Sequence, residues 1–524
     1  MVDFLNRNTA VLRTLLERNA LEAPDEPYMM FEDGSSWTKL DCLRQAYGAA
    51  NELRAAGVTQ GSVVAVALPN GADFFRAWWG TCILGAAITP VNPAYRGNLI
   101  SHMMGLAKPV AFVTAANFRP RLEEVGAHLT TILLDPSELV SANHQAPVLE
   151  RAIEAWDPIS LAMTSGTTGP SKLVRISYAH CLSAGIATFD TWGRSAADIY
   201  LCDVPCFHVG GLYLIHSSLF DRNKVAVRSR PDLANYWEVA RDTRATFSQI
   251  YSSMVTYLDA QPPRGAERSH NLRMALALPL PADPVVFKGK FGIEHLLIAW
   301  GSTEVAGPIV CQPGYVLPRG STGQAMPGFH VKIVDENDIE LPHGAVGEAI
   351  VRNDLPWLIS TEYVGNPSAT AQAWRNGWFH TGDLMRRDGL GNFFFVDRLK
   401  DCVRRRGQNI SSYEVEIVVQ SFPGIAEAAV VPERSGADLE DEVKAWIVTD
   451  SGVGIDYRAL LEYCLERLPH YMVPRYFELI GELPKTPSAK VQKHLLRERG
   501  SGRGTWDRLA HGLDVTRHGI TKLG

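Results

Sequence analysis

Residues 163–172 of this chain read Met-Thr-Ser-Gly-Thr-Thr-Gly-Pro-Ser-Lys, a hydroxyl- and glycine-rich loop that ends in a lysine. Thr164, Ser165, Thr167, Thr168 and Lys172, with Gly166 and Gly169 between them, can wrap a polyphosphate with backbone N–H groups, hydroxyls and one ammonium. ATP is the ligand this chemistry suggests. The loop is not a Walker A loop, because the GxxxxGK[ST] spacing is missing. Residues 158–163 before it and 173–176 after it both read as strands, so no helix N-terminus is expected beneath the phosphates. Taken alone, a Ser/Thr/Gly surface turn is the commoner reading of such a loop. The rest of the chain changes that balance.

Further segments follow in a fixed order: PCFHVGG at 205–211, WGSTE at 300–304, GEAIVR at 347–352, GWFHTGD at 377–383, DRLKDCVRRRGQNISSYEVE at 397–416 and LPKTPSAK at 483–490. With the loop at 163–172, they resemble the adenylate-forming superfamily of acyl-CoA synthetases, peptide-synthetase adenylation domains and beetle luciferases. The resemblance runs from about Leu12 to about Arg499. It implies an α/β fold: a large N-terminal domain of Rossmann-like parallel sheets with helices and a β-rich subdomain, then a small mobile α+β C-terminal domain. The expected division is 1–397, a hinge at 398–401, a lid domain at 402–499 and a tail at 500–524.

The same resemblance implies roles. The 164–172 loop is similar to the family's cradle for the β- and γ-phosphates. Glu304, with Thr167, is the implied Mg²⁺ site, and Thr303 is the implied α-phosphate contact. Gly301 and Trp300 resemble the adenine-binding position, where the family usually has Tyr or Phe; a tryptophan can stack equally well. Ala277 and Leu278 fall beside adenine. Asp383 and Arg398 resemble the ribose-binding pair, and Lys490 the catalytic lysine that the small domain carries in. His208 resembles the residue between the phosphates and the acyl tunnel. Phe207, Val209, Gly210, Gly211 and Tyr213 would line that tunnel. Lys400 aligns with the hinge position, and Arg405 and Gly407 with the entry for the CoA thiol.

The residue types suit the reaction. A carboxylic acid with a pKa of about 4 is already ionised at neutral pH, so attack on the α-phosphate needs no general base. It needs in-line placement and neutralisation of charge on a crowded phosphorus. Each residue also has a plainer reading. An Asp after Gly is usually a turn residue, a lone His more often packs, and a lysine near a C-terminus is usually solvated. The shared motif order favours the functional reading for Glu304, Asp383, Arg398 and Lys490 most of all.

The elements that must position these groups alternate. Val11, Leu12, Leu15 and Leu16 form an apolar helix face behind a cap at Thr9. A buried-strand run at 62–68, a helix through Trp78, Trp79 and Ile83, a strand at 86–90, a helix at 98–106 and a strand at 110–113 follow, and this alternation predicts a parallel sheet. From 322 to 351 the pattern changes to short strands with Gly/Pro turns, and after Asp397 to a small α+β unit.

Composition excludes other classes. A chain of 524 residues, 46% hydrophobic and 21% charged, reads as a globular enzyme of two or more domains. Net charge −6 gives no reason to expect a nucleic-acid partner, and Arg404-Arg405-Arg406 is too short to change that. The 8 cysteines are scattered without a CxxC pair, as reduced cytosolic thiols are. No signal peptide or apolar run of about 18 residues is seen, so a cytoplasmic enzyme without a transmembrane segment is expected. Oligomeric state stays open, a homodimer among the alternatives.

Three departures from the family pattern stand out: Leu173 after the loop lysine, Leu276-Ala277-Leu278-Pro279 beside adenine, and Ala489 before Lys490. None removes a charged catalytic group. Residues 206–218 contain no acid to hold a substrate ammonium, which favours a neutral acyl or aryl tail. The C-terminal half is also similar to carnitine/crotonobetaine-type and fatty acyl-CoA ligases, and Phe207, Tyr213 and Trp300 could hold a quaternary ammonium through cation–π contacts. The expectation is an ATP- and Mg²⁺-dependent acid–thiol ligase acting on a small carboxylic acid and CoA. The alternatives are an acyl-AMP ligase or carrier-loading enzyme, and a non-catalytic nucleotide- or acyl-binding homologue.

Overall fold

The computed structural model describes residues 2–126, 131–164, 171–251, 253–262, 266–278, 280–281, 283–405, 408–434, 441–450, 454–486, 490–502, 504–516 and 519–522. Of the expected site residues, Ser165, Gly166, Thr167, Thr168, Gly169 and Gly407 lie outside them, as do Pro279 and Ala489.

Two sheets carry the parallel character that the strand–helix alternation requires. The first runs Ile132–Leu134, Ala111–Thr114, Val63–Ala67, Ala87–Pro90, Pro158–Met163 and Leu173–Ser177 from edge to edge. All its neighbours are parallel except the last two, which pair antiparallel with Met163 opposite Leu173. The strands on either side of residues 164–172 therefore pair as the arms of a hairpin, as the strand-like flanks predict. The second sheet runs His295–Leu297, Met274–Leu278, Phe247–Tyr251, Ile199–Cys202, Lys224–Val227, Pro27–Met30 and Ser36–Thr38, antiparallel only at the last pair. One large core joins both sheets through the helices Lys39–Ala55, Ala72–Ile83, Tyr178–Phe189 and Val209–Asp221. Trp78 and Trp79 are both fully buried in it.

Two helix boundaries differ from expectation. Val11 is extended at φ −79° and ψ 125°, so it separates the helix Arg7–Ala10 from Leu12–Glu22. Asn6 rather than Thr9 supplies the cap, accepting from the Asn8 N–H. Leu12, Leu15 and Leu16 are buried as the apolar face predicts.

The β-rich part is larger than the 322–351 stretch. An antiparallel sheet runs Ala299–Ser302, Ala306–Val310, Gly323–Ala325, Asn392–Arg398, Trp378–Arg387, Val346–Asn353 and Phe329–Val334. It carries Trp300 on its first strand, and Arg398 and Asp383 opposite each other on two adjacent strands further in. Beyond it the strands Ile425–Arg434, Asp441–Thr449 and Tyr476–Leu479 form a sheet covered by the helices Ser412–Gln420 and Tyr457–Arg467. Residues 500–524, expected as a tail, contribute structure of their own. Trp506–Asp507 adds a strand to that sheet, and Leu513 and Val515 join its core. Trp506 stacks on Tyr457 with centroids 5.3 Å apart, which gives that strand an apolar anchor.

Candidate active site

The hairpin Pro158–Met163/Leu173–Ser177 is closed at its mouth by two bonds. The Thr164 N–H donates to the Lys172 carbonyl at 2.8 Å, and the Lys172 N–H donates to Thr164 Oγ1 at 3.0 Å. Thr164 thus staples the mouth of this hairpin. The His102 ring pairs with the Ser171 carbonyl at 2.7 Å and anchors the same strand end. Lys172 places its ammonium 4.3 Å from the centre of the Tyr363 ring. Burial lowers its pKa, with Glu304 opposing the shift.

The Trp300–Glu304 segment is a tight hairpin between Ala299–Ser302 and Ala306–Val310. A Cβ on Gly301 would lie 1.7 Å from the Ala306 carbonyl oxygen, so only glycine allows this approach. The turn presents Glu304, whose carboxylate accepts from Ser302 Oγ at 2.8 Å and from the Tyr363 hydroxyl at 2.9 Å. The Glu304 carbonyl accepts from the Ser360 N–H at 2.7 Å. From the opposite side, the Tyr213 hydroxyl lies 3.3 Å from the Thr303 carbonyl and 3.2 Å from His180 Nε2. Burial drives the His180 pKa down to about 3, so that imidazole is neutral. Tyr213 is buried, with its hydroxyl spent on positioning this turn rather than on an acyl group.

Asp383 and Arg398 are cross-strand partners. Arg398 Nε stands 2.8 Å from Asp383 Oδ1, and Trp300 Nε1 donates to Asp383 Oδ2 at 3.0 Å. Burial pushes the Asp383 carboxyl up to about 6, against the pull of Arg398 and of the indole bond. The turn before it is held by Glu348, whose carboxylate pairs with His380 Nδ1 at 2.9 Å and accepts from the Gly382 N–H at 3.0 Å. Glu348 is what the GEAIVR segment contributes. Its role, like those of Ser302, Tyr363 and His180, was missed in the sequence. Only the fold shows that these residues meet the motifs.

Lys490 belongs to the C-terminal unit yet stands among the N-terminal groups. Its backbone is held by Thr486, which donates its N–H to the Lys490 carbonyl at 2.7 Å and accepts from the Lys490 N–H at 3.1 Å. The residue is exposed, yet desolvation of its ammonium lowers its pKa. Arg398 adds to the lowering, and Asp383 and Glu304 oppose it. His208 feels the same ammonium: burial and then Lys490 bring its pKa down to about 4. His208 caps the helix Val209–Asp221, and its Nε2 is shielded from solvent with no partner among the described residues. The segment before it is fixed by Asn70, which donates to the Val204 carbonyl at 2.8 Å and accepts from the Cys206 N–H at 2.8 Å.

Several expected residues stand elsewhere. Ala277 is fully buried with Phe287 and Phe291 in the core behind the second sheet, because alternate residues of a strand face opposite ways. Leu278, at the end of that strand, is half-buried. Arg405 is turned inward, with Nε 2.8 Å from Glu442 Oε2 and a bond of 2.9 Å to the Tyr471 carbonyl, so it is not presented to a thiol tunnel. A Cβ on Gly211 would sit 3.0 Å from Cys206 Cα and 3.1 Å from the Pro205 carbonyl, so Gly211 faces backbone rather than an acyl tunnel. A Cβ on Gly210 would lie 2.7 Å from the Tyr251 hydroxyl and 3.7 Å from Gln249 Oε1. Phe207 and Val209 are half-buried beside His208.

A parallel α/β core, a β-rich sheet that carries the Asp383–Arg398 pair, and a C-terminal unit whose Lys490 is felt by that pair set the frame for comparison with known enzymes. The sequence matches the family model "AMP-binding enzyme" over residues 16–360 and "AMP-binding enzyme C-terminal domain" over 414–490. The chain belongs to the AMP-binding enzyme family, and it is an acid–thiol ligase. Its relatives include the crotonobetaine/carnitine–CoA ligase of Proteus mirabilis, 30% identical over 85% of this chain and 90% of that one. The Citrobacter koseri protein of the same name is 29% identical over 86% and 90%. Among solved structures, ATP-bound MatB from Rhodopseudomonas palustris superposes with a TM-score of 0.83 at 24% identity, covering 94% of this chain and 99% of that one. The O-succinylbenzoate CoA synthetase MenE from Bacillus subtilis, in complex with AMP, gives 0.83 at 23% identity over 93% and 99%. No helix among the described residues is long and apolar enough to cross a membrane.

Proposed function

We propose that this enzyme activates a carboxylic acid with ATP to an acyl adenylate and pyrophosphate, then transfers the acyl group to the thiol of CoA with release of AMP. The observation that carries this reading is that Lys490, from the C-terminal unit, acts electrostatically on His208 and is acted on by Arg398, Asp383 and Glu304, which are held by the bonds described above. Asp383 and Arg398 would receive the ribose, with the Trp300 ring against adenine. Lys172 and the loop before it would face the β- and γ-phosphates. Lys490 would stand where charge builds on the α-phosphate, as preorganised electrostatic stabilisation. His208 is neutral near pH 7, so its free ring nitrogen offers the reacting acid a hydrogen bond rather than a charge.

Glu304 fits a magnesium ion, since Mg²⁺ commonly takes only one or two protein carboxylates and keeps the rest of its shell for phosphate and water. Ser302 and Tyr363 fix the direction of that carboxylate. Bound there, the ion would offset phosphate charge. The second half-reaction calls for withdrawal of Lys490, and rotation about Lys400 would supply it.

The test is pyrophosphate release from ATP with a panel of carboxylic acids, and AMP release with and without CoA. Acid-dependent pyrophosphate with CoA-dependent AMP is expected. No pyrophosphate with any acid would overturn the reading. AMP release indifferent to CoA would replace the ligase with an enzyme that stops at the adenylate or loads a carrier protein.

A further inference from the structure

Gln249 and Tyr251 lie two residues apart on the strand Phe247–Tyr251, so their side chains share a face. That face looks at the first turn of the helix Val209–Asp221, immediately after His208. Both approach the position a Gly210 side chain would take, the Tyr251 hydroxyl at 2.7 Å and Gln249 Oε1 at 3.7 Å. Gln249 is 3% exposed, and its Oε1 has no partner among the described residues. Among the described residues its Nε2 reaches only the Gly210 carbonyl, at a long 3.5 Å. Buried side-chain amides are normally satisfied, so an orphaned one beside a substrate site is informative.

The surroundings narrow the chemistry. The strand neighbours of Gln249 and Tyr251 are Leu276 and Leu278, which are apolar. Burial raises the Tyr251 pKa, so the phenol stays neutral, and His208 is neutral as well. The one carboxyl that Tyr251 feels, Asp203, is buried, under the influence of Arg228, and pushed up to about 7, and a plain alkyl chain would leave the Gln249 amide unpaired. We infer that Gln249 is a specificity-determining residue, and that the acid this enzyme prefers carries an uncharged hydrogen-bond donor, a hydroxyl or an amide N–H, on its acyl or aryl portion. The donor would reach Gln249 Oε1, with the Tyr251 hydroxyl beside it. This rests on the adenylate-forming reading above.

Matched pairs of acids test it: 3-hydroxybutyrate with butyrate, 4-hydroxybutyrate with butyrate, and 4-hydroxybenzoate with benzoate, each followed by pyrophosphate release. In the wild-type enzyme the hydroxylated member of at least one pair should have kcat/KM higher by about 10-fold or more, as expected where a site is built to bond a hydroxyl. Gln249→Leu should bring the two members of that pair to within about 3-fold while leaving KM for ATP unchanged. Gln249→Met, similar in length, serves if the leucine variant does not fold. A wild-type enzyme that turns over both members of every pair equally overturns the inference, since a fixed water would then be satisfying the amide. A preference that survives both substitutions overturns it too. Absence of pyrophosphate with every acid would instead remove the adenylate-forming reading on which it rests.

Discussion

The Tyr363 hydroxyl donates to Glu304 Oε1 at 2.9 Å, although 59 residues separate the two in the chain. The same ring supports the Lys172 ammonium at 4.3 Å. One side chain therefore fixes the carboxylate proposed to hold magnesium and the lysine proposed to face the phosphates. Tyr363→Phe keeps the ring and loses the bond. A hydrogen bond to a charged group is worth about 1.5–3 kcal/mol, so kcat/KM for ATP should fall by about 10- to 100-fold. The half-saturating Mg²⁺ concentration should rise. Tyr363→Leu also removes the cation–π contact and should cost about 3-fold more. A phenylalanine variant with unchanged Mg²⁺ dependence would show that Glu304 is held adequately by Ser302.

The acid limb of the pH profile should belong to Asp383. Its carboxyl must be ionised to accept ribose hydroxyls, and burial holds its pKa at about 6. ATP binding should weaken as pH falls through that value. His208 titrates at about 4 and contributes nothing there. Trp300→Phe removes a bond that favours the charged carboxylate, so the limb should move to higher pH, while His208→Asn should leave it in place. Linkage gives a second sign. Because the folded-state pKa is raised, ionising Asp383 opposes folding, and that stability is lost as pH rises through about 6. Asp383→Asn should therefore raise the melting temperature more at about pH 8 than at about pH 4, while abolishing tight ATP binding.

Lys490 and Lys400 divide the labour of the two half-reactions. Lys490→Ala should lose adenylate formation by orders of magnitude yet still convert supplied acyl adenylate and CoA to thioester. Equal loss in both steps would remove the assignment. Lys400→Pro fixes φ near −65° and should trap the present arrangement, in which Lys490 already faces Asp383 and Glu304. Adenylation should persist and thioester formation fail. Bonds from further along the chain also span this junction: Ser411 Oγ donates to the Val396 carbonyl at 2.6 Å, and the Ser412 N–H donates to Asp397 Oδ2 at 2.6 Å. A pivot at Lys400 must break both, so Ser411→Ala should favour the thioester-forming state. A proline variant with normal overall turnover would show that this junction is not the pivot.

The parallel sheets, the hairpin under the phosphate loop and the Asp383–Arg398 pair were legible because strand patterns and motif order are local signals. Partners contributed from afar were not. Tyr363, His180 and Gln249 sit in ordinary-looking stretches, and Glu348 in a motif that assigns it no role; only chain folding brings them to Glu304, Tyr213, Gly210 and Gly382. The inward turn of Arg405 depends on Glu442 and Tyr471, which no motif around residue 405 predicts. The 500–524 stretch reads as a tail because its short strands are glycine- and charge-rich. Trp506, Leu513 and Val515 carry its burial nonetheless.

The two glycines after His208 should separate pocket from scaffold. Gly210→Ala adds a methyl toward the Tyr251 hydroxyl, 2.7 Å away at the end of a ring on the edge of the proposed acyl site. A phenol can shift, so the expected effect is on substrate: a higher KM for bulkier acids and little change in KM for ATP. Gly211→Ala directs its methyl at Cys206 Cα, the Pro205 carbonyl and Cys206 Sγ, at 3.0, 3.1 and 3.2 Å. Backbone held by Asn70 cannot yield as easily, and overpacking of this kind typically costs about 1–3 kcal/mol. Gly211→Ala should thus lower the melting temperature and slow all acids alike, with the order of preference among them preserved. Thermal melts alongside KM values for ATP and a graded series of acids decide the matter. If Gly211→Ala reorders the acids while Gly210→Ala only destabilises, the acyl wall lies at Gly211 and the pocket assigned to Gln249 and Tyr251 is misplaced.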